Sequence, residues 1–247
     1  MEEGLLLIAL AFAAGGVLKG AIGAGVPVIV VPIMALYHGV PFAVAVFALP
    51  SLLSNGWQGW HYRAHLLPAR FLILLTLGAG LGAAIGSVLL AALSGPVLMG
   101  TVAGMTLAYV AFRFARPHWV LERHVADRLV MPAGLVAGVM QGAAGISAPV
   151  SITFISAMRL PREAFIATIS VLFLAMSVVQ IPALWSLGIL TPDRLMLSLA
   201  ACVPLFGGMP VGNVLARYMA RETFDRIVMA LLVVIAAALG IGRAMQA

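Results

Sequence analysis

Long runs of apolar residues, broken at intervals by short polar turns, make up almost the whole chain. The runs cover residues 4–37, 40–60, 66–93, 96–115, 129–158, 164–187, 195–219 and 224–243. No charged residue lies between Arg70 and Arg113, between Arg128 and Arg159, or between Glu163 and Asp193. Uncharged apolar stretches of about 18 residues or more predict helices that cross a bilayer. The turns between them carry helix-breaking residues, as in His38-Gly39-Val40-Pro41, Ser94-Gly95-Pro96 and Gly188-Ile189-Leu190-Thr191-Pro192. The strict alternation over about ten residues that marks a barrel strand is absent. The pattern predicts an all-α, polytopic membrane protein.

The pattern is also doubled. Gly16-Val17-Leu18-Lys19-Gly20-Ala21-Ile22-Gly23-Ala24-Gly25-Val26-Pro27-Val28 returns 122 residues later as Gly138-Val139-Met140-Gln141-Gly142-Ala143-Ala144-Gly145-Ile146-Ser147-Ala148-Pro149-Val150. Residues 1–116 form the first unit, 117–127 a cytoplasmic connection, and 128–247 the second unit, within one membrane domain. Each unit is expected to hold a broken helix or hairpin followed by three transmembrane helices. The first run, as one straight helix, would reach about 51 Å, against a hydrocarbon core of about 30 Å. A kinked, tilted helix or a hairpin returning to its own side would both absorb that excess. Paired glycine-rich breaks at matching places in two halves point to a transport site.

Composition supports the membrane assignment. Apolar residues make up 63% of the chain and charged residues 9%, with a mean hydropathy of +1.14, well outside the soluble balance. The formal charge is +6, but the arginines sit in short connections, so they read as orientation signals and headgroup contacts rather than a nucleic-acid surface. If every run crosses once, the arginines divide eight to five between the two sides. If the first and fifth runs return to their starting side, the division becomes eleven to two, leaving only Arg194 and Arg243 opposite. The positive-inside rule then puts both termini outside and makes the two units inverted repeats. The same division follows whether the returning segments are full spans or re-entrant loops. The start, Met1-Glu2-Glu3-Gly4, has no basic n-region, so the first run is expected to remain in the mature protein. Cys202, the lone cysteine, has no disulfide partner.

Candidate chemistry centres on the breaks. Lys19 is the only lysine and the only charge between Gly4 and Tyr62. An intramembrane ammonium is a functional feature by default. The alternative is a helix that leaves the membrane near residue 19, with Lys19 snorkelling to headgroups. Gly20, Gly23 and Gly25 permit an unwound backbone near a ligand, and Pro27 and Pro149 suit the first turn of a restarting helix. Helix N-termini attract anions. Lys19, Gly20, Gly23 and Gly25, with Gln141, Gly142, Gly145 and Ser147 from the second unit, are the expected substrate-binding set, the two helix ends facing each other. Asn55, Gln58, Gln180 and Asn213 are expected along the pathway, with Ser51, Ser54 and Ser177 close to them; interhelical hydrogen bonding explains such residues equally well. Trp57, Trp60, His61 and Tyr62 read as an interfacial belt. Gly78, Gly82, Gly86, Gly208 and Gly212 read as packing faces.

The doubled break followed by proline, the apolar repeats and the basic central connection resemble the TauE/SafE sulfite exporter family of bacterial membrane proteins, over nearly the whole chain. The resemblance implies transport of sulfite, small organosulfonates or related sulfur anions across the inner membrane. All eight acidic residues fall at termini or connections, which argues against a buried carboxylate relay for protons or sodium. The membrane potential alone expels anions from a negative interior, by about 2.3 kcal/mol per charge per 100 mV. Export therefore needs no coupled ion. An anion channel, or an importer of another small carboxylate or sulfonate, is the alternative. An enzyme would need a nucleophile–base or paired-acid set within the apolar runs, and a metal transporter His, Cys or carboxylate clusters; neither pattern occurs. No catalytic residue, metal or cofactor is expected. The expected partners are a small anion and the lipid bilayer, and the sequence leaves a homodimer open.

Overall fold

A computed structural model describes residues 2–115 and 119–218. The eighth apolar run, the start of the central connection and the C-terminus whose side was expected from the arginines lie outside the described residues. The described chain forms helices α1 (Glu2–Ile22), α2 (Val26–His38), α3 (Val40–His61), α4 (Ala69–Ala92), α5 (Gly95–Ala115), α6 (Arg123–Ala144), α7 (Ala148–Ala157), α8 (Arg162–Ser186) and α9 (Pro192–Tyr218), with a 3-10 turn at Arg63–His65. Among the described residues there is no strand. The helices α3, α4, α8 and the Pro192–Ala216 part of α9 are long and apolar enough to cross a membrane.

Both long runs break where the sequence places glycine and proline. The first divides into α1 and α2 at Gly23 and Gly25, whose φ values of 80° and 100° lie in the left-handed region, where a Cβ is strained. Pro27 then sits in the first turn of α2, where no N–H is needed. The fifth run divides in the same way: α6 ends at Gly145, with φ 71°, and Pro149 opens α7. Val26 and Ala148, and likewise Val40 and Arg162, begin helices 122 residues apart, so the repeat in sequence is a repeat of elements. Arg123, rather than residue 129, begins the helix of the second unit. Its i,i+4 pair with Asp127 extends α6 beyond the apolar run.

The first run is a hairpin. Val26 and Val30 lie against Gly15, so α2 folds back along α1. At 13 residues α2 reaches about 20 Å and α7, at 10 residues, about 15 Å, both short of a full crossing.

Glycine faces set the packing between the halves. A Cβ on Gly78, Gly82 or Gly86 of α4 would strike the α6 backbone at Met131, Leu135 and Val139 respectively, so the two helices touch in parallel register. Gly208 and Gly212 of α9 meet Ala13 and Val17 of α1 in the same sense. Backbones this close need glycine on both sides and gain van der Waals packing in return. The repeat-equivalent helices α3 and α8 pair in the opposite sense: the Ser51 and Ser177 hydroxyls meet, and so do the Gln58 and Ser170 side chains. These two helices are antiparallel. On the outer face of α4, Ile73, Leu77, Leu81, Ile85 and Val88 are exposed at helical spacing, an apolar stripe suited to lipid rather than water.

Candidate functional site

Lys19 lies in the last turn of α1, four residues before the left-handed glycine that ends the helix. Its side chain turns inward, with 2% of the residue exposed, so it does not snorkel. The ammonium donates to Asn55 Oδ1 of α3 at 2.7 Å. The Asn55 amide donates in turn to the Ser51 carbonyl at 2.7 Å and to Ser51 Oγ at 3.2 Å. Ser177 Oγ of α8 lies 3.0 Å from Ser51 Oγ and donates its own hydrogen to the Phe173 carbonyl at 2.9 Å, which leaves Ser51 as the donor between the two hydroxyls. One chain of polar groups therefore runs from Lys19 in the first unit to α8 in the second, through residues that are all buried. Such a chain is stable in an apolar interior only when its members are satisfied.

The first break completes the site. A small cavity of about 10 Å³, roughly the space for one water, is bounded by residues 24–27 of the break, by Lys19, by Ser51, Ser54 and Asn55, and by Phe47 and Phe173. Here the C-terminus of α1 and the N-terminus of α2 meet, carrying partial charges of about −0.5 and +0.5 respectively. Val28 N–H bonds back to the Gly25 carbonyl at 3.1 Å. Arg162, at the start of α8, donates to the Gly20 and Ala21 carbonyls at 3.3 and 3.2 Å and so caps the negative end of α1 from the other half. Among the described residues Arg123 pairs with Asp127 and His124 Nδ1 lies 3.1 Å from Glu122, both at exposed positions, and neither engages Lys19.

The expected site residues separate into groups. Lys19, Gly25 and Asn55 line the cavity together. Gly23 supplies the turn, with Ile166 against it, and Gly20 packs on the Met209 backbone. Gln58 lies behind the site and donates to the Lys19 carbonyl at 3.3 Å. Its equivalent, Gln180, makes the same bond to the Gln141 carbonyl, also at 3.3 Å. Gln141 and Ser147 form a cluster of their own, with Ser147 Oγ donating to Gln141 Oε1 at 3.2 Å and lying 3.3 Å from Ser151 Oγ. Gly142 packs on Ala83 and Gly86, and Gly145 is the left-handed cap of α6. Residues of the second break do not line the Lys19 cavity, so the two breaks do not share it as expected. The reason is the antiparallel crossing of α3 and α8. It spaces the Gln58 and Gln180 bonds along α8 by about 15 Å, the rise from Ser170 to Gln180. Asn213 is half-buried on α9, beside the Gly212 contact with Val17, and lies outside the cavity lining.

Three residues of the site were not among those expected. Arg162 looks like a loop charge in the sequence; the signal is its repeat equivalent, Val40, which is aliphatic and buried. Phe47 shares a helical face with Ser51, Ser54 and Asn55. Phe173 stands 122 residues after Ser51, so one cavity receives both members of a repeat pair. His61 stacks on Trp57 at 5.2 Å and Arg63 lies over Trp60 at 4.4 Å, in a largely exposed cluster.

No curated protein and no solved structure shows significant similarity to this sequence. A family model does: the one described as sulfite exporter TauE/SafE matches residues 7–239. With nearly its whole length covered, the chain belongs to the TauE/SafE sulfite exporter family of membrane transporters.

Proposed function

We propose that the protein exports sulfite or a small organosulfonate across the bacterial inner membrane by alternating access, with the anion held at the first glycine break beside Lys19. The observation that carries this reading is a buried ammonium with one partner among the described residues, opening onto a cavity at a helix N-terminus. A buried unpaired charge is costly, and an anion beside it removes that cost. A cavity of about 10 Å³ is smaller than any sulfur oxyanion, so it must widen to take one. The left-handed glycines at positions 23 and 25 are the hinge at which it would widen.

Two further features support alternating access. The antiparallel crossing of α3 with α8, and the parallel pairs α1–α9 and α4–α6, are what two inverted units sharing one axis would produce. Exchanging the shapes of two such units converts an inward-open form into an outward-open one. The same arrangement gathers Arg63, Arg70, Arg123, Arg128, Arg159 and Arg162 on one side, which the positive-inside rule assigns to the cytoplasm. The N-terminus and the turn at Gly188 then lie outside, and α2 and α7 are re-entrant.

The test is substrate-induced stabilisation and sulfite flux of Lys19→Met, purified and reconstituted. The variant is expected to insert normally but lose both the stabilisation and the flux. Normal flux at normal affinity would overturn the assignment of the site.

A further inference from the structure

A second cavity lies on the outside of the helices, away from Lys19. It is an open groove of about 540 Å³ between α4 and α8, within the range of about 300–1,000 Å³ that suits small ligands. Leu77, Gly80 and Ala84 form one wall, and Val171, Leu174 and Val178 the other. The groove exists because α4 divides its small residues between two sides. Gly78, Gly82 and Gly86 bring the α6 backbone into contact, whereas Gly80 and Ala84 leave space beside α8, with only Val179 against Gly80. Leu77 and Val178 are each more than half exposed, so the groove opens sideways, toward the lipid chains.

One end of the groove is cationic. Arg70 shares a face of α4 with Leu77 and Ala84, at seven-residue spacing, and stands about 10 Å beyond Leu77. Near the end of α3, Gly59 lies against Val171. The turn that follows lies against α8 and brings Trp60 and Arg63 to the same end. Arg63 donates to the Trp60 carbonyl at 2.9 Å and sits over its ring, which occupies one of its five N–H donors. Among the described residues no carboxylate pairs with Arg63 or Arg70; the acids that find partners are Asp127 and Glu122. Glu163 stands in the first turn of α8, where the helix dipole already stabilises it.

An apolar groove with two unopposed arginines and an indole at its polar end suits an acyl chain that carries an anionic headgroup. A second copy of the chain, docked here about a twofold axis, would instead bring the arginines of both copies together, and like charges repel.

The repeat-equivalent place, between α9 and α3, lacks these parts. At the 122-residue spacing Cys202 and Phe206 stand for Gly80 and Ala84, and Trp185 and Pro192 for Arg63 and Arg70. Arg194, a cation at that end, is held by the Ile189 carbonyl at 2.7 Å and lies over Phe42.

We propose that the α4–α8 groove binds one anionic phospholipid per chain, with an acyl chain along Gly80 and Ala84 and the phosphate at Arg63 and Arg70. The proposal is independent of what the Lys19 site carries.

Native mass spectrometry of the purified, delipidated full chain, titrated with phosphatidylglycerol or with phosphatidylcholine of the same acyl chains, tests it. The expected result is one phosphatidylglycerol per chain, bound at least about tenfold more tightly than phosphatidylcholine. Arg70→Gln is expected to weaken phosphatidylglycerol about fivefold, the effect of one arginine at a membrane surface, and to leave phosphatidylcholine unchanged. Ala84→Phe, which copies the residue at the equivalent place on α9, is expected to weaken both lipids alike by filling the groove. Equal affinity for the two lipids, or an unchanged phosphatidylglycerol affinity in either variant, overturns the proposal. So does a lipid-free dimer that Ala84→Phe separates, which would make a second copy the occupant.

Discussion

Replacing Asn55 with leucine, a side chain of nearly the same shape, removes the one acceptor of the Lys19 ammonium among the described residues, held at 2.7 Å. It also removes the amide that bonds Ser51. Stripping the partner from a buried charge costs about 3–5 kcal/mol. Lys19→Met removes the charge instead and leaves a neutral amide oxygen short of a donor, at about 1–3 kcal/mol. With both replaced, neither an orphan charge nor an orphan acceptor remains, and the double variant should fall short of the summed losses by about 2–3 kcal/mol. For a chain of this length that coupling is worth about 4–12 °C in midpoint temperature. Cys202 provides the assay. It is the only cysteine and it is buried, so a thiol-reactive dye added in detergent reports unfolding without further labelling. Additive single effects, within about 0.5 kcal/mol, would refute the claim that the two side chains act as a unit.

Other perturbations give equally definite outcomes. Gly82→Val drives a side chain into the Leu135 carbonyl of α6 and should prevent stable folding, read as loss of monodisperse protein. Gly104→Ala, with nothing within 4 Å, should instead be neutral or add up to about 1 kcal/mol by the dye assay. Arg162→Val removes the two bonds to the end of α1 and should cost about 1.5–3 kcal/mol, with Arg162→Lys intermediate. An alkaline phosphatase fusion at Gly188 should be active and one at Leu66 inactive; the reverse pattern contradicts the orientation. In proteoliposomes, anion flux should follow an imposed potential without sodium or a pH gradient, and flux that stops when the proton gradient alone is collapsed would contradict this.

Much of the architecture is legible because helix breaking is local chemistry. The left-handed residues 23, 25 and 145, and the prolines at the starts of α2 and α7, act within a few residues of themselves, so the sequence marks both breaks correctly. The identity of Lys19 as a buried cation follows from the absence of any other charge nearby. The division of labour among the glycines is not legible. Gly20 and Gly142 serve helix packing, whereas Gly25 lines the cavity, and a glycine looks the same in either role until its neighbour is known. The separation of the two breaks also escapes the sequence, since it depends on how far α3 and α8 slide past each other. The pairing of Ser51 with Ser177 and of Gln58 with Ser170 fixes that register, and both are contacts between distant parts of the chain.

The most direct test of the central claim is a structure of the full chain with selenite, a heavier analogue of sulfite, located by its anomalous signal. The account predicts one selenium site per chain at the first break, with an oxygen about 2.7–3.2 Å from Lys19 Nζ. A selenium site between Gln141 and Ser147 instead, or none within reach of Lys19 while sulfite is still transported, would contradict it.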